Sequence, residues 1–361
     1  MAIVKSADFI SNFERDMRFM AIIYGPPSAG KTTLAQSAPD ALTVDCDNGM
    51  GRVRADHRRD FITADSYEDI LRDLESPEIA NYKTVVVDTG GAFISLLQSW
   101  AIKKDPKRYA KGDGTISLQG FGVVKSEFQR FLDFLRVTLK KNVVFIFHSV
   151  EEKKGEQTVQ RLLCDGAARN LVWLPADFGG YISFDGRRRR ISFTPCDEYF
   201  AKRTYGIAPT YDLPDLAPGT PNNFLTRLFA DAQANIRRDA EAFAEARRKY
   251  EAAVAAGREI VSAVTDAESA QAAADSIQRL DHAMTSLPEV KALFVRRLKE
   301  VGVKYDAARQ AYVSIAPPPV PVAATENPAP VADNAPQGTE NPAQSVPDVP
   351  RKGRRRKCGI S

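Results

Sequence analysis

Cysteine is scarce and scattered. Cys46, Cys164, Cys196 and Cys358 are the only four in 361 residues, no two form a CxxC pair, and the three histidines are equally dispersed. These absences exclude a zinc cluster and a disulfide scaffold, and they fit a reducing compartment. Long apolar runs are missing too. A membrane helix needs roughly 18 apolar residues, whereas the greasiest stretch, Val143 to Val150, is short and already contains His148. The opening MAIVKSADFISNFERD carries acids early and has no apolar signal core. The expectation is a cytoplasmic protein without a membrane segment.

Charge of one sign is also lacking once the chain is divided. The formal net charge is +4, but RKGRRRK at 351–357 holds six basic residues, and 317–350 holds four acids and no Lys or Arg. Residues 1–316 keep 44 basic against 42 acidic residues. Nucleic-acid binding would therefore depend on local patches, because bulk charge does not supply it. With 43% hydrophobic and 27% charged residues, most of the chain has the composition of a folded protein.

Residues 1–216 alternate apolar runs with helical stretches, the habit of a parallel sheet flanked by helices. MAIIYG (20–25), ALTVDC (41–46), DFITA (60–64), TVVVD (84–88) and NVVFIFH (142–148) read as buried strands. Segments 31–38, 66–75, 91–103 and 120–141 read as helices, and 179–195 as a β-hairpin turning at Asp185-Gly186. From 217 to 316 the chain is rich in Ala, Glu and Arg and has no β-rich run. About three helices are expected there, with a break near Gly257 and capping boxes at Thr265/Glu268 and Ser286/Glu289. Segment 317–350 holds ten of the 22 prolines and a repeated TENPA, so 317–361 reads as a disordered linker with a basic tip.

The strongest chemical signal is GPPSAGKT at 25–32, which fits G-x-x-x-x-G-K-[ST] between an apolar strand and a helix-forming TTLAQSA. Gly25, Pro26, Pro27, Ser28, Ala29 and Gly30 form a loop whose backbone can fold around phosphates at a helix N-terminus. Lys31 is placed to neutralise the β- and γ-phosphates of ATP; Thr32 offers a hydroxyl to Mg2+, and Thr33 follows on the helix. Asp88, closing TVVVD, is the carboxylate expected to orient that magnesium. Asp45 and Asp47 in LTVDCDNG end another strand, where one can cap the next turn and the other can act as a base on water. Asp47 is the catalytic candidate, and His148, ending its own strand, is the candidate sensor of the γ-phosphate. Asp88-Thr89-Gly90-Gly91 satisfies DxxG, but no NKxD follows, which excludes a GTPase. A basic stretch, KKDPKRYAKGDGTISLQ (103–119), places Lys103, Lys104, Lys107, Arg108 and Lys111 around Tyr109. As a mobile loop it would suit single-stranded DNA, with cations on phosphates and a ring stacked on a base.

In order along the chain, GPPSAGKTTLA, DCDNG, YKTVVVDT behind the helix SYEDILRDLE, NVVFIFH and FAKRTYGI resemble one family. They are similar to the phage-encoded AAA nucleotide-binding proteins with a RecA-like core, among them the phage single-strand annealing ATPases. The resemblance implies an α/β, RecA-like P-loop NTPase core with a mostly parallel sheet, followed by an α-helical region and a disordered tail. It also implies ATP and Mg2+ as cofactors, a homo-oligomer, and action on single-stranded DNA in recombination, annealing or replication. The partners would be single-strand-binding or other recombination proteins, and the location the bacterial host cytoplasm. By the same resemblance, Lys202 and Arg203 become candidates for reaching a neighbour's γ-phosphate. The 103–119 loop would face a central axis, with Lys153 and Lys154 in a second such loop. Where the family usually shows DxEGG, this chain has Asp47, a shorter acid that bears on hydrolysis rate more than on ATP binding. Two other readings stand beside this one: a P-loop small-molecule kinase, with Arg187 to Arg190 as its lid, and an ATP-dependent scaffold that does not hydrolyse.

Overall fold

The computed structural model describes residues 17–63, 65–164 and 166–315. Strands β1 (Met20–Gly25), β2 (Ala41–Asp45), β4 (Thr84–Asp88) and the first half of β5 (Asn142–Lys154) are buried on both faces, as their unbroken apolar character requires. With β3 (Phe61–Thr63), β6 (Gln157–Leu162), β7 (Phe178–Asp185), β8 (Arg188–Ser192) and β9 (Thr210–Asp212) they build one sheet in the order β3-β2-β4-β5-β1-β7-β8-β9, with β6 paired to β5. Pairings from β3 through β7 are parallel; β5–β6, β7–β8 and β8–β9 are antiparallel. This is the mostly parallel α/β sheet of a RecA-like P-loop core.

Strand alternation divides the interior in two. Met20, Ile22 and Tyr24 of β1 join one core with Tyr67, Phe93, Phe128, Phe131 and Phe145, while Ala21 and Ile23 join the other with Phe19, Leu34, Phe178, Phe193 and Phe229. Burying each such aromatic contributes about 1.5–3 kcal/mol, so both faces hold the strand ends firmly. Helices α1 (Lys31–Ala35), α2 (Tyr67–Leu74), α3 (Gly90–Lys104), α4 (Pro106–Tyr109), α5 (Leu118–Asp133) and α6 (Gly166–Trp173) connect the strands. A π-helical turn, Phe134–Thr138, prolongs α5 towards the start of β5. The register sets Gly25 beside His148 and Asp45 beside Asp88, so the ends of four neighbouring strands share one edge.

Several expectations need correction. β5 does not stop at His148; it continues to Lys154 and folds back on β6, so Lys153 and Lys154 stand in strand register with Thr158 and Gln157 rather than in a loop. Segment 103–119 has local backbone structure where an open loop was expected. Asp105 caps α4 through the Arg108 N–H, Ala110 and Ile116 form a β-bridge, and the Ser117 N–H donates to Tyr109 O at 2.7 Å. The β7–β8 turn falls one residue later than expected, at Gly186-Arg187, because Asp185 pairs with Arg188.

Beyond the sheet, the break expected at Gly257 is absent. Helix α7 (Phe224–Ser262) runs 39 residues through it, and a Cβ on Gly257 would lie 2.5 Å from Val290, so the glycine serves close helix packing. Helix α8 (Ala267–Arg279) is capped by Asp266 with Ser269, not by Thr265 with Glu268. Helix α9 (Ser286–Glu300) follows Thr285, with Ser286 inside its first turn. The region expected to lack strands ends in a hairpin, β10 (Val303–Asp306) with β11 (Ala311–Ser314). The base of α7, Phe224 to Ala232, packs in the sheet's second core, whereas its far end, α8, α9 and Val303 form a third core of their own. Among the described residues no helix is long and apolar enough to cross a membrane. The N-terminal segment 1–16 and the proline-rich 317–361 with its basic tip lie outside the described residues.

Candidate nucleotide site

Between β1 and α1 the backbone turns through Ser28 at φ 62° and Gly30 at φ 75°, the second a left-handed conformation that favours glycine. The turn leaves amides without partners: no described residue accepts a hydrogen bond from the N–H of Ala29, Gly30, Lys31, Thr32 or Thr33. Five orphan donors at a helix start form an anion cradle. Lys31 is 6% exposed and its ammonium spans the loop, donating to Gly25 O at 3.1 Å and Pro26 O at 2.7 Å. Burial lowers its pKa to about 8, with Asp88 pulling the other way. A buried ammonium held on two carbonyls gains much from an arriving phosphate.

Asp88 is 3% exposed, and burial raises its carboxyl to about 6; the Thr32 hydroxyl opposes that rise. A carboxylate kept this dry favours a nearby divalent cation. No group of three His, Cys, Asp or Glu suited to a metal occurs among the described residues. Mg2+ characteristically takes one or two protein ligands and completes its shell with phosphates and water. Thr32 and Asp88 are the pair that would hold it.

The two other acids separate cleanly. Asp45 accepts from the N–H groups of Gly49 at 2.8 Å and Met50 at 2.9 Å, so both its oxygens are committed to the turn. Asp47 is half-buried, lies 3.8 Å from Arg52, and has its pKa raised first by burial and also by neighbouring Asp45, with Arg52 and His148 opposing. Of the pair it is the one free to take a proton from water. His148 sits across from Gly25 with Nδ1 buried and unpartnered. Burial and then Lys31 lower its pKa, with Asp47 acting in the opposite sense, which keeps the ring neutral at neutral pH. The structure therefore brings Lys31, Thr32, Asp47, Asp88 and His148 to one edge.

Lys202 lies elsewhere. Its backbone bridges Gly179, level with Ile22 rather than with the phosphate loop, and its ammonium donates to Trp173 O and Leu174 O at the end of α6. Arg203 is exposed. Lys103, Lys104, Lys107, Arg108, Lys111, Lys153 and Lys154 are all exposed, and Tyr109 is half-buried with the Arg108 guanidinium 5.7 Å from its ring. The 21 residues from Leu118 to Thr138 lead down to the edge where β5 begins. The 105–117 connection thus lies at the opposite end, the side from which the β5–β6 hairpin projects. One residue at the site escaped sequence reasoning: Arg189, whose Nη1 donates to Ala29 O at 3.2 Å. The signal was there in strand alternation, which puts Arg189 on the same face as buried Ile191.

Residues 17–205 match a protein-family model described as an AAA domain. Among solved structures, the chain is similar to the flagellar accessory protein FlaH from Methanocaldococcus jannaschii. The two are 12% identical with a TM-score of 0.27, over 52% of this chain and 82% of that one. No curated protein matches.

Proposed function

The chain belongs to the AAA domain family, and from that membership we propose that it is a magnesium-dependent ATPase acting on single-stranded DNA. The convergence of Lys31, Thr32, Asp88, Asp47 and His148 on one strand edge carries the ATPase part. Bound magnesium would supply charge neutralisation at the transferring phosphoryl group. Lys31 positions the phosphates and Asp47 accepts the proton of the attacking water. Neutral His148, with its free Nδ1, is placed to sense the γ-phosphate. Of the four arginines of the kinase reading, Arg190 is paired with Asp185 and Asp212 and Arg189 with the loop carbonyl, which leaves Arg187 and Arg188 exposed as its lid.

The DNA part rests on the exposed cations of 103–111 and of the β5–β6 tip, which share the nucleotide-bearing side of the sheet. Recombination, annealing or replication of phage type is the process that such a protein would serve, as a homo-oligomer alongside single-strand-binding or other recombination proteins. ATP turnover measured with and without single-stranded DNA tests the whole reading. Clear stimulation by DNA is the expected result. Turnover that requires a small-molecule acceptor would replace it with a kinase, and nucleotide binding without turnover would replace it with a scaffold.

A further inference from the structure

The four consecutive arginines at 187–190 have different surroundings. Arg187 and Arg188 are exposed, and Arg190 is paired with Asp185 at 3.6 Å and Asp212 at 3.1 Å. Arg189, one step out of phase, points to the opposite face of the sheet, against the phosphate loop. Its Nη1 donates to Ala29 O at 3.2 Å, its Nη2 donates to Pro214 O, and its own carbonyl accepts from the Leu213 N–H at 2.9 Å. Gly30 is the floor of this seat: a Cβ there would run into Nη1 and into Leu216.

The guanidinium is half-buried, and among the described residues no carboxylate forms an ion pair with it. Burial holds its pKa below the usual arginine range, with Asp215 the opposing charge. A half-buried cation satisfied only by carbonyl groups is costly unless an anion comes close. The anion-binding feature nearest to it is the loop itself, whose amides stand without partners one residue away.

We propose that Arg189 is a positioning residue of the nucleotide site, fixing the Ala29-Gly30 turn so that the loop amides face the phosphates and adding positive charge behind them. The inference rests on the phosphate-loop reading and adds to it a residue contributed in cis by the β7–β8 hairpin. Because the loop holds phosphates common to ATP and ADP, the effect falls on both nucleotides alike. Arginine suits the task because its rigid planar fork carries donors on separate nitrogens, so that one reaches Ala29 O while another reaches Pro214 O, a spacing that the point-like ammonium of a lysine does not reproduce.

Calorimetric binding of ATP and ADP with Mg2+ to the full chain tests the inference, with the nucleotide-free melting temperature measured alongside. Arg189→Ala is expected to weaken both nucleotides about tenfold, the loss of one charge-assisted contact. Arg189→Lys should fall between it and the parent, which also covers the case in which the alanine variant does not fold. In turnover, KM for ATP should rise by more than kcat falls. Parental affinity for both nucleotides in a folded Arg189→Ala chain overturns the inference, whatever happens to its melting temperature. A loss confined to ATP overturns it as well, since that would mean direct contact with the γ-phosphate. Lys31→Ala is the control. If it keeps nucleotide, the phosphate-loop reading itself has failed; if it loses nucleotide while Arg189→Ala does not, only the role of Arg189 has.

Discussion

Asp88 holds its proton more tightly in the folded chain than in the unfolded one, since burial moves its pKa from 3.8 to about 6. The folded state is therefore favoured at low pH, and this advantage is lost as pH rises from about 4 to about 6. At neutral pH the ionised carboxylate costs the nucleotide-free protein up to about 3 kcal/mol. Asp88→Asn should raise the nucleotide-free melting temperature at pH 7 and flatten its pH dependence between 4 and 6, while abolishing magnesium-dependent turnover. Thermal denaturation across that range checks the first two effects, and a variant that tracks the parent at every pH would refute them. The phosphate loop was legible in the sequence because its chemistry dictates residue types at fixed spacing. Asp47 was singled out there over Asp45, but the reason is visible only in the folded turn, where both oxygens of Asp45 are committed to backbone N–H groups. Arg189 was hidden among identical neighbours whose facing depends on strand phase.

Elements, unlike single side chains, were read well where the apolar pattern was long. The parallel strands and α2, α3 and α5 stand close to their expected places, since buried runs and amphipathic stretches leave little choice of partner. Short elements were lost: β9, β10 and β11 have three or four residues each, too few to show alternation. The 103–119 segment illustrates a different failure, because its polar composition hid an order made by backbone hydrogen bonds. Its cations are nonetheless exposed, so they remain available to phosphates. Replacing Lys107, Arg108 and Lys111 with Ala should flatten the log–log salt dependence of single-stranded DNA binding by roughly two units, at about 0.7 per phosphate contact. An unchanged slope with normal ATP turnover would move the DNA contact elsewhere, with the Lys153 and Lys154 tip as the next place to test. That tip stands about 20 Å beyond His148, six strand residues on.

For the whole molecule, the 317–361 segment brings ten prolines and six terminal cations but hardly any residue able to join a core. Its deletion should leave melting temperature and basal ATPase nearly unchanged, and a truncated chain that melts markedly earlier would show that the segment packs. Assembly offers a second test. Arg203 has the freer side chain of the two candidate trans cations, because Lys202 is engaged at the end of α6. Arg203→Ala should bind ATP normally and hydrolyse it slowly, and mixing it with Lys31→Ala subunits should restore part of the activity. Failure at every mixing ratio would leave Arg203 an ordinary surface cation. Finally, the helix bearing the third core is clasped at its root by the nucleotide-binding helix. Ser37 accepts from the Leu225 and Thr226 N–H groups and from the Thr226 hydroxyl, and Asn222 donates to Thr33 O. A straight helix of 39 residues is about 58 Å long. Every degree of tilt at that root sweeps its tip through about 1 Å, so α7 is a lever arm on which a rearrangement too small to resolve at the phosphate loop becomes a measurable displacement at Ser262.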